Sequence, residues 1–178
     1  IVSSARSART QSHRGELSAT PGAQLAAYSV KAAVERAGID PELIEDLVMG
    51  CGYPEGITGK NIGRQAALRA GLPLSVAGMV ASRFCASGLQ SVAIAAGRIV
   101  AEGVPAMVAG GVESISAIRA GNPADIDPWL QEHKPDLYMA MIDTADIVAH
   151  RYGISREDQD AFSLQSQQRT AAAQQAGV

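Results

Sequence analysis

The sequence has few cysteines, little net charge and no long apolar run, and each shortage excludes a class of protein. Two cysteines in 178 residues are too few for a disulfide scaffold. They favour free thiols in a reducing compartment, which we expect to be the cytoplasm, with an organellar matrix as the alternative. A net charge of −3 argues against a nucleic-acid surface. No apolar run reaches the roughly 18 residues of a membrane span, so no membrane partner is expected.

The overall composition of the sequence is typical of a folded globular chain. Apolar residues make up 47% of the sequence, enough for a substantial core. Strand-like and helix-like segments alternate, which predicts an α/β protein. Strands are predicted at 1–4, 47–50, 78–84 and 106–109. Helices are predicted from Pro21 to Gly38, at 61–70, from Cys85 to Gly103, at 139–152 and at 155–173.

Local signals predict how several of these elements begin and end. Thr20 is the predicted cap of the first helix, with Pro21 in its first turn. A Gly110-Gly111 pair predicts a tight exit from the last strand. Ser155 and Asp158 form a variant of the capping box. The predicted apolar face of the first helix consists of Ala26, Val30, Ala33, Val34 and Ala37.

The segment from Arg83 to Gln90, Arg-Phe-Cys-Ala-Ser-Gly-Leu-Gln, is the most informative part of the chain. A strand pattern leads straight into Cys85, and a helical pattern begins at once. A thiol at such a turn faces the free N–H groups and positive dipole end of the helix, which favour the nucleophilic thiolate. Cys85 is therefore a candidate nucleophile; the alternative is a small buried hydrophobic residue. The helix is predicted to bury a face of Leu89, Val92, Ala93, Ala96 and Val100.

The other residues with chemical potential fit no catalytic motif. A thiol nucleophile needs a base and donors for the developing oxyanion. His13, His133 and His150 lie in no motif suited to that task, and we expect them on the surface. Cys51 follows a predicted strand and is expected to be a buried or loop thiol without chemistry. The sequence predicts no metal site.

Several segments together resemble the N-terminal half of a thiolase. They follow the family's order and cover essentially the whole chain. The upstream segment reads Val-Ser-Ser-Ala-Arg-Ser-Ala-Arg-Thr, the nucleophile segment Cys-Ala-Ser-Gly-Leu, and the segment after it Val-Ala-Gly-Gly-Val-Glu-Ser. The segments lie at 2–10, 38–41, 65–73, 85–89, 108–114 and 152–160.

The resemblance implies a fold, an activity and an assembly. The five-layered thiolase fold is expected, with this chain supplying most of its first α/β half, a mixed sheet with helices on both faces. Residues 1–117 would form that domain, and residues 118–178 the start of the loop domain with the helices that follow. In that family the cysteine matching Cys85 carries the acyl group as a thioester. Coenzyme A thioesters would be substrates, with no permanently bound cofactor, and the protein a homodimer or homotetramer.

Two motifs that thiolases use do not occur in these residues. The family takes its activating histidine from Gly-His-Pro and a second acid/base cysteine from Cys-x-Gly, both in the second half of its sequence. We therefore expect this polypeptide to be an incomplete and inactive portion of a thiolase. Two alternatives stay open. One is a ketosynthase-type condensing enzyme, which shares the fold and the nucleophilic cysteine; the other is a non-catalytic thiolase-like fragment that binds or assembles.

The second part of the chain departs from the family in its acyl pocket. Many thiolases have His-Met-Gly where this chain has Ala-Met-Ile at 140–142. The resemblance thereby implies Met141 as a substrate-binding residue, with a simple core position as the alternative. Losing the pocket histidine argues against a short acetoacetyl-type substrate and leaves room for a longer or bulkier acyl chain. The segment 118–135 corresponds to tetramer contacts in the family, so Trp129 and Leu130 are expected anchors, or else they pack the loop onto its own domain.

Overall fold

The computed structural model describes residues 1–117 and 126–177. Residues 1–120 form one compact unit and residues 121–178 a second. The predicted α/β class is confirmed in the first unit, whereas the second consists of helices and turns in its described part. The domain boundary expected between residues 117 and 118 stays a prediction.

A parallel sheet of three strands is the centre of the first unit. Strand β1 is Ile44–Gly50, β2 is Ala77–Ala81 and β3 is Ala106–Gly111, in the order β2-β1-β3. Three of the predicted strands are therefore confirmed, and the described pairings are parallel where a mixed sheet was expected. The central strand is buried because helices cover both faces, as parallel sheets require.

Helix α1 is Gly22–Ala37, α2 is Ile62–Arg69 and α3 is Ser87–Glu102. The first two pack on one face of the sheet, where alternate β1 residues join their apolar side chains in one core cluster. The remaining β1 residues point to α3, as the ion pair from Asp46 to Arg98 shows (3.1 Å). The buried cluster consists of Ala26, Val30, Val34, Ile44, Leu47, Met49, Cys51, Ile62, Ala66, Ala67, Leu72 and Val76.

The signals at the two ends of the first helix had different outcomes, and the cap of α2 was not predicted. Gly38 ends α1 in the left-handed conformation (φ 63°), and Asn61 caps α2 by accepting from the Arg64 N–H (3.1 Å). The predicted cap Thr20 is wrong. Pro21 is the N-cap of α1, because the Thr20 N–H is bonded to Leu17 (3.0 Å) and so belongs to the preceding 3₁₀ turn.

The strand predicted at 1–4 is also wrong. The segment has no strand conformation, and Ile1 and Val2 are exposed. Its carbonyl at Ser4 accepts from the Arg36 guanidinium (3.0 Å), so a side chain and not a neighbouring strand holds it there. An apolar pair followed by two serines is too short to distinguish a strand from extended coil. The Gly110-Gly111 pair likewise makes no tight exit, because both residues continue the pairing of β3 with β1.

Helix α3 packs on the sheet with the face opposite to the predicted one. Its buried residues are Ser87, Ser91 and Ala95, one turn apart, while Leu89 and Val100 are 76% and 86% exposed. At about 100° per residue, the two sets lie on opposite sides of the helix. The face with the serines packs on the sheet because their small side chains allow the helix to approach the strands closely. Ser91 also donates its hydroxyl to the Gly110 carbonyl (2.8 Å).

The segment Phe84–Glu102 is long and apolar enough, with mean hydropathy 1.4, to cross a membrane by length and composition alone. Core helices of soluble α/β proteins have the same length and composition. One face of α3 packs on the sheet through Ser91 and Arg98, and 17% of the apolar window is buried.

The second unit contains the helices predicted there. The helices predicted at 139–152 and 155–173 are α5 at Met141–Tyr152 and α6 at Arg156–Gln175, and a short helix that was not predicted, α4, lies at Pro128–His133. Ser155 caps α6 as predicted, since its hydroxyl accepts from the Asp158 N–H (3.1 Å) and donates to the Asp158 carboxylate (2.8 Å). Residues 118–125 of the segment 118–135, which was expected to make tetramer contacts, lie outside the described residues.

Candidate active site

The three strands end at the same edge of the sheet. Gly50, the last residue of β1, is in register with Ala81 of β2 and Gly111 of β3. The segments that follow the strands therefore start side by side. In open α/β sheets this carboxyl edge is where ligands bind. Cys85 belongs to the segment that follows β2.

A sharp turn presents Cys85 at this edge. Phe84 has a left-handed backbone (φ 47°) that is uncommon outside glycine, and it opens a 3₁₀ turn at Phe84–Ala86. The Cys85 side chain is exposed. The predicted strand-to-helix turn is thus present, although α3 itself begins two residues later, at Ser87. The extra turn arises because the chain leaves β2 at Ala81 and must reverse before the helix can start.

Ser87 holds the turn closed from inside. Its buried hydroxyl accepts from the Arg83 N–H (2.8 Å) and donates to the Phe84 carbonyl (2.6 Å). Both partners lie on the N-terminal side of Cys85, so one side chain spans the whole turn. Because the side chain is buried, its hydroxyl needs partners inside the protein, and the turn supplies them.

The loop after β1 packs against the same turn. The Tyr53 and Phe84 rings lie 5.8 Å apart between centroids at an angle of 59°. Ser82 donates its hydroxyl to the Gly52 carbonyl (3.1 Å), which ties this loop to the segment that follows β2. The left-handed Phe84 is thus contacted by a neighbouring loop.

Glu113, two residues beyond β3, binds that loop. Its carboxylate accepts from the N–H groups of Gly52 (2.7 Å) and Tyr53 (3.2 Å), and from the Cys51 thiol (3.6 Å). Sequence reasoning assigned Glu113 no role. A carboxylate placed just beyond a strand was the available signal, but its partners lie about sixty residues away in the chain.

Cys51 is a buried free thiol, in agreement with the sequence prediction. Burial raises the pKa of the Cys51 thiol, and the negative charge of Glu113 raises it further. Both effects favour the protonated form. This thiol is therefore a poor nucleophile beside the exposed Cys85.

No histidine is hydrogen-bonded to Cys85 among the described residues of the first unit. His13 is exposed and donates its backbone N–H to Ser116 (2.9 Å). His133 and His150 are exposed residues of the second unit, as expected. A thiol nucleophile needs a base to take its proton, and the first unit places no histidine at Cys85 for that task.

The remaining predicted residues belong to the second unit. Met141 is the first residue of α5 and 78% exposed, so within this unit it is not a core residue. Trp129 is 58% exposed and stacks on His133, with ring centroids 4.5 Å apart. Leu130 is partly buried in the same short helix. The roles expected for these three residues stay predictions.

An exposed thiol on a constrained turn, at the carboxyl edge of a parallel sheet, is typical of α/β proteins that use a cysteine nucleophile. Comparison with known proteins defines the family. The chain matches the family described as "Thiolase, N-terminal domain" over residues 1–178, and it belongs to that family.

Named relatives agree with this membership. The chain is 41% identical over 174 residues to the 3-ketoacyl-CoA thiolase of Bacillus subtilis, covering 97% of this chain and 44% of the relative. It is 40% identical over 190 residues to the acetyl-CoA acetyltransferase of Chromobacterium violaceum, covering 99% of this chain and 48% of the relative. A 3-ketoacyl-CoA thiolase of Acinetobacter baumannii is 36% identical over 177 residues, and the match covers 99% of this chain and 45% of the relative. The chain thus spans about half the length of these relatives.

Proposed function

We propose that this chain carries the nucleophile of an acyl-CoA C-acyltransferase of the thiolase class, and that Cys85 is that nucleophile. The observation that supports it best is the exposed Cys85 on a left-handed turn at the carboxyl edge of the sheet. The names of the relatives, 3-ketoacyl-CoA thiolase and acetyl-CoA acetyltransferase, support the same class.

The proposed chemistry has two steps. In the degradative direction the Cys85 thiolate attacks the 3-keto carbonyl of the substrate. The bond between the second and third carbons breaks, acetyl-CoA leaves after its carbanion takes a proton, and the shortened acyl group stays on sulfur. The thiolate of free coenzyme A then attacks this thioester and releases Cys85. In the synthetic direction an acetylated Cys85 is attacked by the carbanion of acetyl-CoA. A covalent intermediate replaces one difficult step by two easier ones.

The proposal also covers the acyl substrate, the cellular compartment and the oligomeric state of the protein. Met141 would contact the acyl chain, and the small Ala140 beside it would leave space for a longer or bulkier acyl group. Coenzyme A thioesters would bind as substrates without a resident cofactor. A reducing cytoplasm would keep Cys51 and Cys85 as thiols. The protein would be a homo-oligomer, since exposed apolar faces such as that of α3 favour contacts.

A polypeptide of only these 178 residues is expected to be inactive. The turn supplies a nucleophile, but no base is hydrogen-bonded to Cys85 among the described residues of the first unit. Losing groups that act as one unit removes most of a rate enhancement. Thiolysis of a 3-ketoacyl-CoA at an ordinary enzymatic rate, by a preparation whose mass is that of these residues, would contradict this expectation.

Trapping of the acyl group tests the central proposal. The protein expressed from its complete gene is mixed with 3-ketodecanoyl-CoA, quenched in acid and digested, and the peptides containing Cys51 and Cys85 are analysed by mass spectrometry. We expect acyl mass on Cys85, and none in Cys85→Ser, which should also lose most turnover. The matched control Cys51→Ser should keep both signals. An acyl group on Cys51, or full turnover in Cys85→Ser, would refute the assignment.

A further inference from the structure

Glu113 makes a convergent set of contacts that the proposed chemistry does not use. Three consecutive residues of the loop after β1 direct their donors to its carboxylate. The Gly52 and Tyr53 N–H groups lie 2.7 and 3.2 Å from one oxygen, and the Cys51 sulfur lies 3.6 Å from the other. Hydrogen bonds to an ionised acceptor are stronger than those between neutral groups. One carboxylate thus fixes the backbone of a loop that is distant in the chain.

The loop that Glu113 holds is the one that contacts the turn before Cys85. Tyr53 packs its ring on Phe84, and Gly52 lies so near that a Cβ added to it would be 3.4 Å from the Phe84 Cα. Phe84 is the residue with the left-handed backbone. A strained conformation of this kind persists only when its surroundings hold it.

The geometry assigns Glu113 as a positioning residue for Cys85, acting through the Tyr53 loop and Phe84. This inference rests on the proposed role of Cys85 as the nucleophile. Glu113 does not touch the reacting atoms. It keeps Phe84 in the conformation that directs Cys85 to the edge of the sheet.

The substitution Glu113→Ala removes the acceptor, whereas Glu113→Gln keeps an oxygen at the same place without the charge. If Glu113 positions Cys85, the alanine variant lets the turn relax, and misplacement by about 1 Å lowers kcat by roughly 100-fold while KM changes little. The glutamine variant should retain most of the rate, because its amide oxygen can still accept from Gly52 and Tyr53.

The experiment uses the protein expressed from its complete gene. Turnover is measured with acetoacetyl-CoA and 3-ketodecanoyl-CoA, and the alkylation rate of Cys85 by iodoacetamide is followed by mass spectrometry. Thermal unfolding of each variant shows whether it is folded. The matched control is Glu55→Ala, which removes an exposed carboxylate from the same loop and should leave kcat unchanged.

Tyr53 supplies an independent route to the same result. Tyr53→Ala should lower kcat as Glu113→Ala does, and the double variant should lose little more than either single one, since both act through one contact path. This measurement stays informative if Glu113→Ala fails to fold, because the Tyr53→Ala variant keeps the Glu113 carboxylate and the backbone N–H groups that bind it.

Each outcome either supports or contradicts the role of Glu113 as a positioning residue. A large loss of kcat in Glu113→Ala, rescued by glutamine, supports the inference. A folded Glu113→Ala with normal kcat overturns it, and so does a glutamine variant as slow as alanine, which would assign the effect to charge. Cys85→Ser, run in parallel, separates the two proposals. If it is inactive while Glu113→Ala is normal, only the inference fails; if it keeps full turnover, both fail.

Discussion

Gly50, at the end of β1, lies against Gly88 in the first turn of α3. A Cβ added to Gly50 would be 2.6 Å from the Gly88 backbone nitrogen, closer than real side chains approach. The helix that follows Cys85 therefore sits directly on the strand end. Close approach at this point, and not a special backbone angle, is the reason for a glycine.

Gly50→Ala should displace the start of α3 and with it the turn that carries Cys85. We expect a fall in the thermal midpoint and a slower alkylation of Cys85, because backbone and not a flexible side chain occupies the space. Gly97→Ala is the matched control. Nothing lies within 4 Å of its added Cβ, so it should stabilise α3 by about 0.5–1 kcal/mol. Equal midpoints for the two variants would contradict the packing argument.

Ser87→Ala should affect Cys85 more than it affects stability. The change leaves the Arg83 N–H and the Phe84 carbonyl without their partner, which costs about 1–3 kcal/mol. It also opens the turn, so we expect alkylation of Cys85 and turnover to fall. Ser91→Ala removes a comparable buried hydroxyl one turn later in α3, where it bonds Gly88 and Gly110. Equal losses of Cys85 reactivity in both variants would show that Ser87 has no special role.

Cys51 should make the protein less stable in alkaline solution. Its pKa in the fold is raised above the ordinary value of 9.0, so at higher pH the unfolded chain releases this proton first. The stabilising contribution is complete below about pH 9, and it is lost as pH rises toward the pKa of the folded state. Urea unfolding at pH 8, 9 and 10 should show a steeper decline for the wild type than for Cys51→Ala. Parallel declines would contradict the assignment.

Trp129 is expected at or near a subunit contact. Its ring is more than half exposed and is stacked on one face by His133, which leaves apolar area available. Light scattering should show an oligomer at micromolar concentration, weakened in Trp129→Ala and kept in Trp129→Phe. A monomeric wild type would contradict the expected oligomer. An unchanged assembly in the alanine variant would place Trp129 in its own loop.

The sequence by itself determined the elements that depend on neighbours along the chain. Apolar runs identified β1, β2 and β3 because the strands of a parallel sheet that is covered by helices are rich in apolar residues. Gly38 and Gly103 marked helix ends because left-handed caps favour glycine. The turn at Cys85 was predictable for the same reason, since strand, thiol and helix follow each other within a few residues.

Tertiary structure decided what depends on contacts between distant segments. The apolar period of α3 recorded which residues share a face, but close packing on Gly50 and a hydrogen bond to Gly110 selected the face of Ser87 and Ser91. Ile1 and Val2 have strand-like side chains, yet pairing needs a free neighbouring strand, which sequence does not reveal. Glu113 meets the Tyr53 loop only because the register of the sheet ends β1 and β3 at the same level, and register is a property of the folded chain.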